Sequence, residues 1–137
     1  MTVAPVDWAR VRHFRATEWR SVAHIDPRLI YAVDDLREFI GVPIVLGDTT
    51  GLGHDPAGMH PAGRAVDCHA EGITLVDFWL AAERFPAFGG IGIYPPGTWD
   101  RPGLHLDTRD APHRARWWRD STGTYHPVTT GTLAAWA

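Results

Sequence analysis

One cysteine, Cys68, is all the thiol this chain carries, which excludes an internal disulfide and a cysteine-rich zinc site. Lysine is missing: all 13 basic residues are arginine, against 16 acidic ones. The formal charge of -3 offers no broad basic surface, so no nucleic-acid partner is expected. No run of about 18 apolar residues occurs, so no membrane span is expected. Met1 to Asp7 lacks the basic and apolar stretches of a secretory signal, which implies synthesis in the cytoplasm. No repeat, low-complexity tract or block of like charge divides the chain, so residues 1–137 read as one domain, expected to be a monomer. A chain of that size buries roughly two-thirds of its unfolded surface. Against these absences stand eight histidines and seven tryptophans. The tryptophans read as core or groove wall; the histidines are where chemistry could lie.

The elements follow from capping and periodicity. Residues 1–24 read as irregular, with a short helical piece near Thr17, Glu18 and Trp19. Asp26 then caps a helix that has Pro27 at its first position. Leu29, Val33, Leu36 and Ile40 at helical spacing predict an amphipathic helix over 27–40, ended by Gly41. Pro43 to Leu46 reads as a buried strand, and Gly47 to Gly63 as a long loop of the kind that carries function. Arg64 to His69 alternates as a strand with Ala65, Asp67 and His69 on one face. Thr74 caps a second helix whose buried face runs from Leu75 through Phe78, Trp79 and Ala82 to Phe85. Strands are predicted at 90–94, 103–107 and 116–119, the last turning at Ser121-Thr122-Gly123. Helices packed on a small antiparallel sheet make the expected class α+β.

Three features converge on one site. His60 closes the long loop and Asp67 lies inside the next strand, six residues intervening. His105 sits mid-strand between Leu104 and Leu106; if those face the core, His105 and Asp107 share the open face. Asp67 and His105 each lie among apolar neighbours, where an uncompensated charge or imidazole is costly. A His-x6-Asp pair alone arises by chance, and a lone buried histidine is usually an ordinary one. Together, two imidazoles and a carboxylate suit zinc, and three protein ligands leave a fourth position open, as in a catalytic site. Zinc so held would make hydroxide available near neutral pH and polarise a carbonyl under attack.

The segment Met59-His60-Pro61-Ala62-Gly63-Arg64-Ala65-Val66-Asp67 resembles the His-x-x-Gly-x-Ala-x-Asp motif of the D-alanyl-D-alanine carboxypeptidase and Hedgehog-type zinc peptidases. Gly90 to Tyr94 and Leu104-His105-Leu106-Asp107-Thr108-Arg109 resemble the second half of that site. His13-Phe14 with Glu18-Trp19, and the run into Gly41-Val42-Pro43-Ile44, resemble the smaller bacterial and phage branch. The resemblance spans residues 13–119. It implies His60, Asp67 and His105 as zinc ligands, and hydrolysis of amide bonds in peptidoglycan stem peptides. Gly63 and Ala65 are expected to be small because backbone passes close to the metal.

The chain departs from that pattern twice. Many family members place an acid three residues before the last histidine, to serve as the general base; here that position is Pro102. Asp107 and Asp100 are the candidate replacements, and Asp107 could instead orient a ligand histidine. Relatives also carry a carboxylate-binding arginine in the loop after the first strand, and here that loop has none. Arg64 and Arg109 are candidate substitutes, with His54 able to polarise substrate or merely cap the loop. His69 reads as a partner of the site or a groove residue. His13, His24, His113 and His126 read as local-contact histidines. Carboxypeptidase and endopeptidase both stay open, in a phage lysin or a separately exported protein acting at the cell wall. The alternatives are a zinc-containing cell-wall-binding module without catalysis, or a phage structural domain.

Overall fold

The computed structural model describes residues 5–19, 23–47, 58–98, 101–110 and 114–137. Two single 3-10 turns, Trp8–Arg10 and Ala16–Glu18, precede helix α1, Pro27–Ile40. Strand β1 (Ile44–Leu46), β2 (Ala65–Ala70), helix α2 (Leu75–Ala82), β3 (Gly90–Tyr94), β4 (Gly103–Asp107), β5 (Ala115–Arg119), β6 (Tyr125–His126) and helix α3 (Thr130–Trp136) follow. The strands form one sheet in the order β1-β2-β4-β3-β5-β6. The α+β class is the expected one.

α1 forms where its signals lie. The Asp26 carboxylate accepts from Arg28 N at 2.9 Å, Pro27 takes the first turn, and Gly41 closes the helix at φ 70°. Its buried stripe includes Leu29, Ile30, Val33 and Leu36. One charge lies in that stripe: Asp34, 1% exposed, accepts from the backbone N–H of Arg12 and of His13, and from Arg12 Nε. A buried carboxylate satisfied by backbone donors fixes the N-terminal segment against α1.

Alternation divides the sheet into two faces. Val66, Leu106 and Ile91 lie side by side across β2, β4 and β3, as do Cys68, Leu104 and Ile93, all fully buried. With α1, Phe78 of α2 and Phe88 they build the core. Asp67, His105, Gly92 and Trp117 form one lateral row on the opposite face, and Ala65, Asp107, Gly90 and Ala115 the next.

Two readings are corrected, and two elements are added. β5 runs parallel to β3, so the sheet is mostly rather than wholly antiparallel. α2 ends at Ala82, short of Phe85, whose ring instead meets Phe39 and Phe88 beyond the helix. β6 and α3 had no counterpart in the sequence reading. Asp120 organises the β5–β6 turn by accepting from Thr122 N and Thr124 N. Thr129 caps α3, accepting from Thr132 N. Trp118 then holds this C-terminal unit, stacked on His126 at 4.3 Å and edge-on to Trp136 at 5.4 Å.

Gly63 is required by the backbone and not by the metal. Its φ is 72°, and a Cβ there would overlap the carbonyl oxygen of His24. Gly41 shares the positive φ but has open space around it. Gly41→Ala is therefore expected to cost about 1 kcal/mol, and Gly63→Ala at least about 2–3 kcal/mol because a backbone clash is added. Urea denaturation of both variants measures the difference; equal costs would show that the His24 contact yields without penalty.

Candidate metal centre

His60 lies in the turn that leads into β2. Its carbonyl accepts from Gly63 N at 3.0 Å and from His24 Nε2 at 3.1 Å, and Arg64 N donates to Met59 O at 2.9 Å. These bonds fold the turn back so that the imidazole of His60 meets the row containing Asp67 and His105. His60 Nε2 lies 3.1 Å from His105 Nδ1 and 3.3 Å from Asp67 Oδ1, and His105 Nδ1 lies 3.4 Å from the same oxygen. All three residues are buried at 6% exposure. The triangle is nearly equilateral, and the group could hold a metal ion.

The protons of the cluster show where an ion could be accommodated. His105 Nε2 lies 2.7 Å from Asp107 Oδ2. Asp107 is fully buried and held by Arg109, through Nε to Oδ1 at 2.9 Å and Nη2 to Oδ2 at 2.6 Å. Burial opposes ionisation of Asp107, yet the bonds from His105 and Arg109 outweigh it and keep its carboxyl well below the usual range. An ionised carboxylate only accepts, so the proton of a neutral His105 sits on Nε2. Its Nδ1 lone pair then faces the Asp67 carboxylate, an arrangement that repels unless a proton or metal ion lies between. The charge states agree. Burial disfavours a charged His105, but its bonds to Asp107 and Asp67 raise its pKa. Burial likewise opposes ionised Asp67, but His105 and His60 hold it down at about 2. A proton here occupies the place that a metal ion would take.

The centre opens on a pocket of about 450 Å³. Its walls include Met59, Tyr94, Arg109, Trp117 and Tyr125, with His60 and His105 at the centre. Trp117 stands 5.0 Å from the His105 ring, and the Arg109 guanidinium lies over Trp117 at 5.2 Å.

The candidate residues fall into three groups. His60, Asp67, His105, Asp107 and Arg109 come together. Asp107, expected as a general base, is instead placed behind His105, on the side away from His60 and Asp67. Both its oxygens are engaged and it does not line the pocket, so it positions the imidazole. Arg64 points elsewhere: it donates to the Thr108 carbonyl and pairs with Asp110 at 3.3 Å. His69 pairs with Arg101, also away from the centre. His54, Asp100 and His113 lie outside the described residues.

The resemblance included Gly90 to Tyr94 in the site but gave the residues of β3 no role. A Cβ on Gly90 would overlap the Asp107 carboxylate, and one on Gly92 would come within 2.6 Å of the Trp117 ring. The alternating Gly-x-Gly-x-Tyr pattern at 90–94 was the available signal for a strand that clears one face. Tyr94, on that face, lines the pocket and was named only as the end of the resembling segment. No family model, curated protein or solved structure matches the chain.

The His60–Asp67–His105 cluster is expected to bind one divalent metal ion per chain by calorimetry, with binding lost in His60→Ala. Asp107→Asn keeps the volume but removes an ionised acceptor, so metal affinity should fall about 10–100-fold while the fold persists. Unchanged affinity in Asp107→Asn would remove its positioning role.

Proposed function

We propose that this chain is a zinc-dependent hydrolase of amide bonds in peptidoglycan stem peptides. The observation that carries the reading is the triangle of His60 Nε2, Asp67 Oδ1 and His105 Nδ1, with edges of 3.1, 3.3 and 3.4 Å, beside an open pocket. Ligands about 2.0–2.1 Å from a tetrahedral zinc lie about 3.3–3.4 Å apart, so the donor set fits without rearrangement. Zinc held there would polarise the scissile carbonyl and make hydroxide available near neutral pH. The peptidoglycan assignment rests on the resemblance of the His60–Asp67 and His105 segments to the carboxypeptidase family.

The chain's own residues supply the rest. His60, Asp67 and His105 bind the ion, and Asp107 with Arg109 fixes the His105 ring. Met59, Trp117 and Tyr125 line the pocket beside them. Arg109 also lines the pocket, its guanidinium held by Asp107, and is the described cation nearest a substrate carboxylate there. Asp100 is the carboxylate assigned to the proton acceptor's task.

One observation favours a second reading, a zinc-containing cell-wall-binding module without turnover. Among the described residues, no carboxylate lines the pocket. Incubating zinc-loaded protein with purified peptidoglycan and synthetic stem peptides, and counting newly released amines, separates the two. The hydrolase reading expects chelator-sensitive release that falls at least about 100-fold in Asp100→Asn. Binding of the fragments with no release supports the module.

A further inference from the structure

We propose that Tyr125 is a specificity-determining residue, its exposed ring stacking on a sugar ring of the glycan that carries the stem peptide. This rests on the peptidoglycan reading above and extends the substrate from the peptide to the sugar beside it. Three observations converge. Tyr125 is 63% exposed, more than any other large apolar side chain among the described residues. Unlike Phe39, Val45 and Leu80, which are also exposed, it lines the pocket of the metal centre. Its position is built: β6 pairs Tyr125 with Arg119, Asp120 fixes the turn between the two strands, and Trp118 stacks on the neighbouring His126.

The surroundings decide the ligand. Trp117 meets the Tyr125 ring at 67° with centroids 6.5 Å apart, and the Arg119 guanidinium lies over it at 6.0 Å. The ring is braced, yet it is not enclosed: Met59 and Pro61 are the aliphatic side chains of the described lining. An aliphatic substrate side chain would gain most from a closed apolar pocket. A pyranose needs the opposite, because one face presents C–H groups while the hydroxyls around its edge stay hydrated. An open aromatic ring with a polar tip, in a pocket shared with Arg109, matches that amphipathic shape. Spacing agrees. The His105 ring lies 5.0 Å from Trp117, and Trp117 lies 6.5 Å from Tyr125. An extended peptide covers that path in about three or four residues. A stem peptide with a sugar-proximal bond at the metal therefore brings the sugar to Tyr125.

Tyr125→Ala removes the platform, and Tyr125→Phe removes the hydroxyl alone. Zinc-loaded wild type and both variants are mixed with two probes: a synthetic stem peptide, and the same peptide joined to its N-acetylglucosaminyl-N-acetylmuramyl disaccharide. Affinity is read by stopped-flow tryptophan fluorescence, before turnover. The wild type is expected to bind the glycopeptide about 10-fold more tightly than the bare peptide. Tyr125→Ala should abolish that advantage while affinity for the bare peptide stays within about twofold, and Tyr125→Phe should keep most of it. Equal weakening of both probes by Tyr125→Ala would overturn the proposal and make Tyr125 a contact for the peptide. A wild type that binds both probes equally, or neither, would overturn it as well. If the wild type releases no amine from either probe, the hydrolase reading fails alone. The difference in binding, read before turnover, still decides the role of Tyr125.

Discussion

Asp67 and His105 stand directly opposite each other on neighbouring antiparallel strands, and everything at the centre depends on that register. Side chains alternate with a period of two, so a slip of one residue would send one of them through the sheet into the core. The register is guarded on the other face. Val66 faces Leu106 and Cys68 faces Leu104, all fully buried, so a slipped pairing would bring polar residues into an apolar layer. The hydrophobic core thereby aligns a polar site that it never touches. Placing two ligands on strands and only His60 on a turn leaves the least rigid element a single side chain to supply. That turn is pinned by His24 and by the left-handed Gly63.

The second constraint is charge. Two buried carboxylates a few ångströms apart would repel each other and be desolvated together. Arg109 compensates Asp107 through a fork, and His105 lies between Asp107 and Asp67 as the polarisable link. Asp67 is then the carboxylate whose compensation is incomplete without a proton or a metal ion. The chain from Arg109 through Asp107 to His105 also fixes which ring nitrogen faces the centre. Tautomer, ring orientation and net charge are set together by one row of contacts.

Much of this was legible in the chain. The helix over 27–40, the strands at 90–94 and 103–107, and the common face of His105 and Asp107 followed from caps and alternation, which are local signals. What escaped depends on partners distant in sequence. The parallel pairing of β3 with β5 has no local signature, because it depends on which strands meet in the sheet and not on either strand's own residues. α3 is short, and its anchor is Trp136 against Trp118, a contact that no window of consecutive residues contains. Asp107 looked like a base because spacing shows a face but not what a side chain touches; only the fork from Arg109 shows both oxygens engaged. Gly63 was read as clearance for the metal, whereas the residue it must clear is His24, 39 positions earlier in the chain.

The glycines of β3 bear most directly on whether the centre is a built site. β3 lies inside the sheet, with β4 on one side and β5 on the other. Glycine in a strand interior costs about 0.5–1 kcal/mol relative to alanine, and this strand carries two. Neither has a positive φ, so neither is demanded by the backbone. Each instead leaves a space that one side chain fills: Gly90 for the Asp107 carboxylate and Gly92 for the Trp117 ring. A sheet shaped only for stability would fill both positions with β-branched residues and shift the neighbours outward. The stability forgone at β3 is therefore tied to the two residues that position His105 and wall its pocket. The two glycines thus let Asp107 reach Arg109 and His105, and let the Trp117 ring pack beside His105, in the row that could hold an ion.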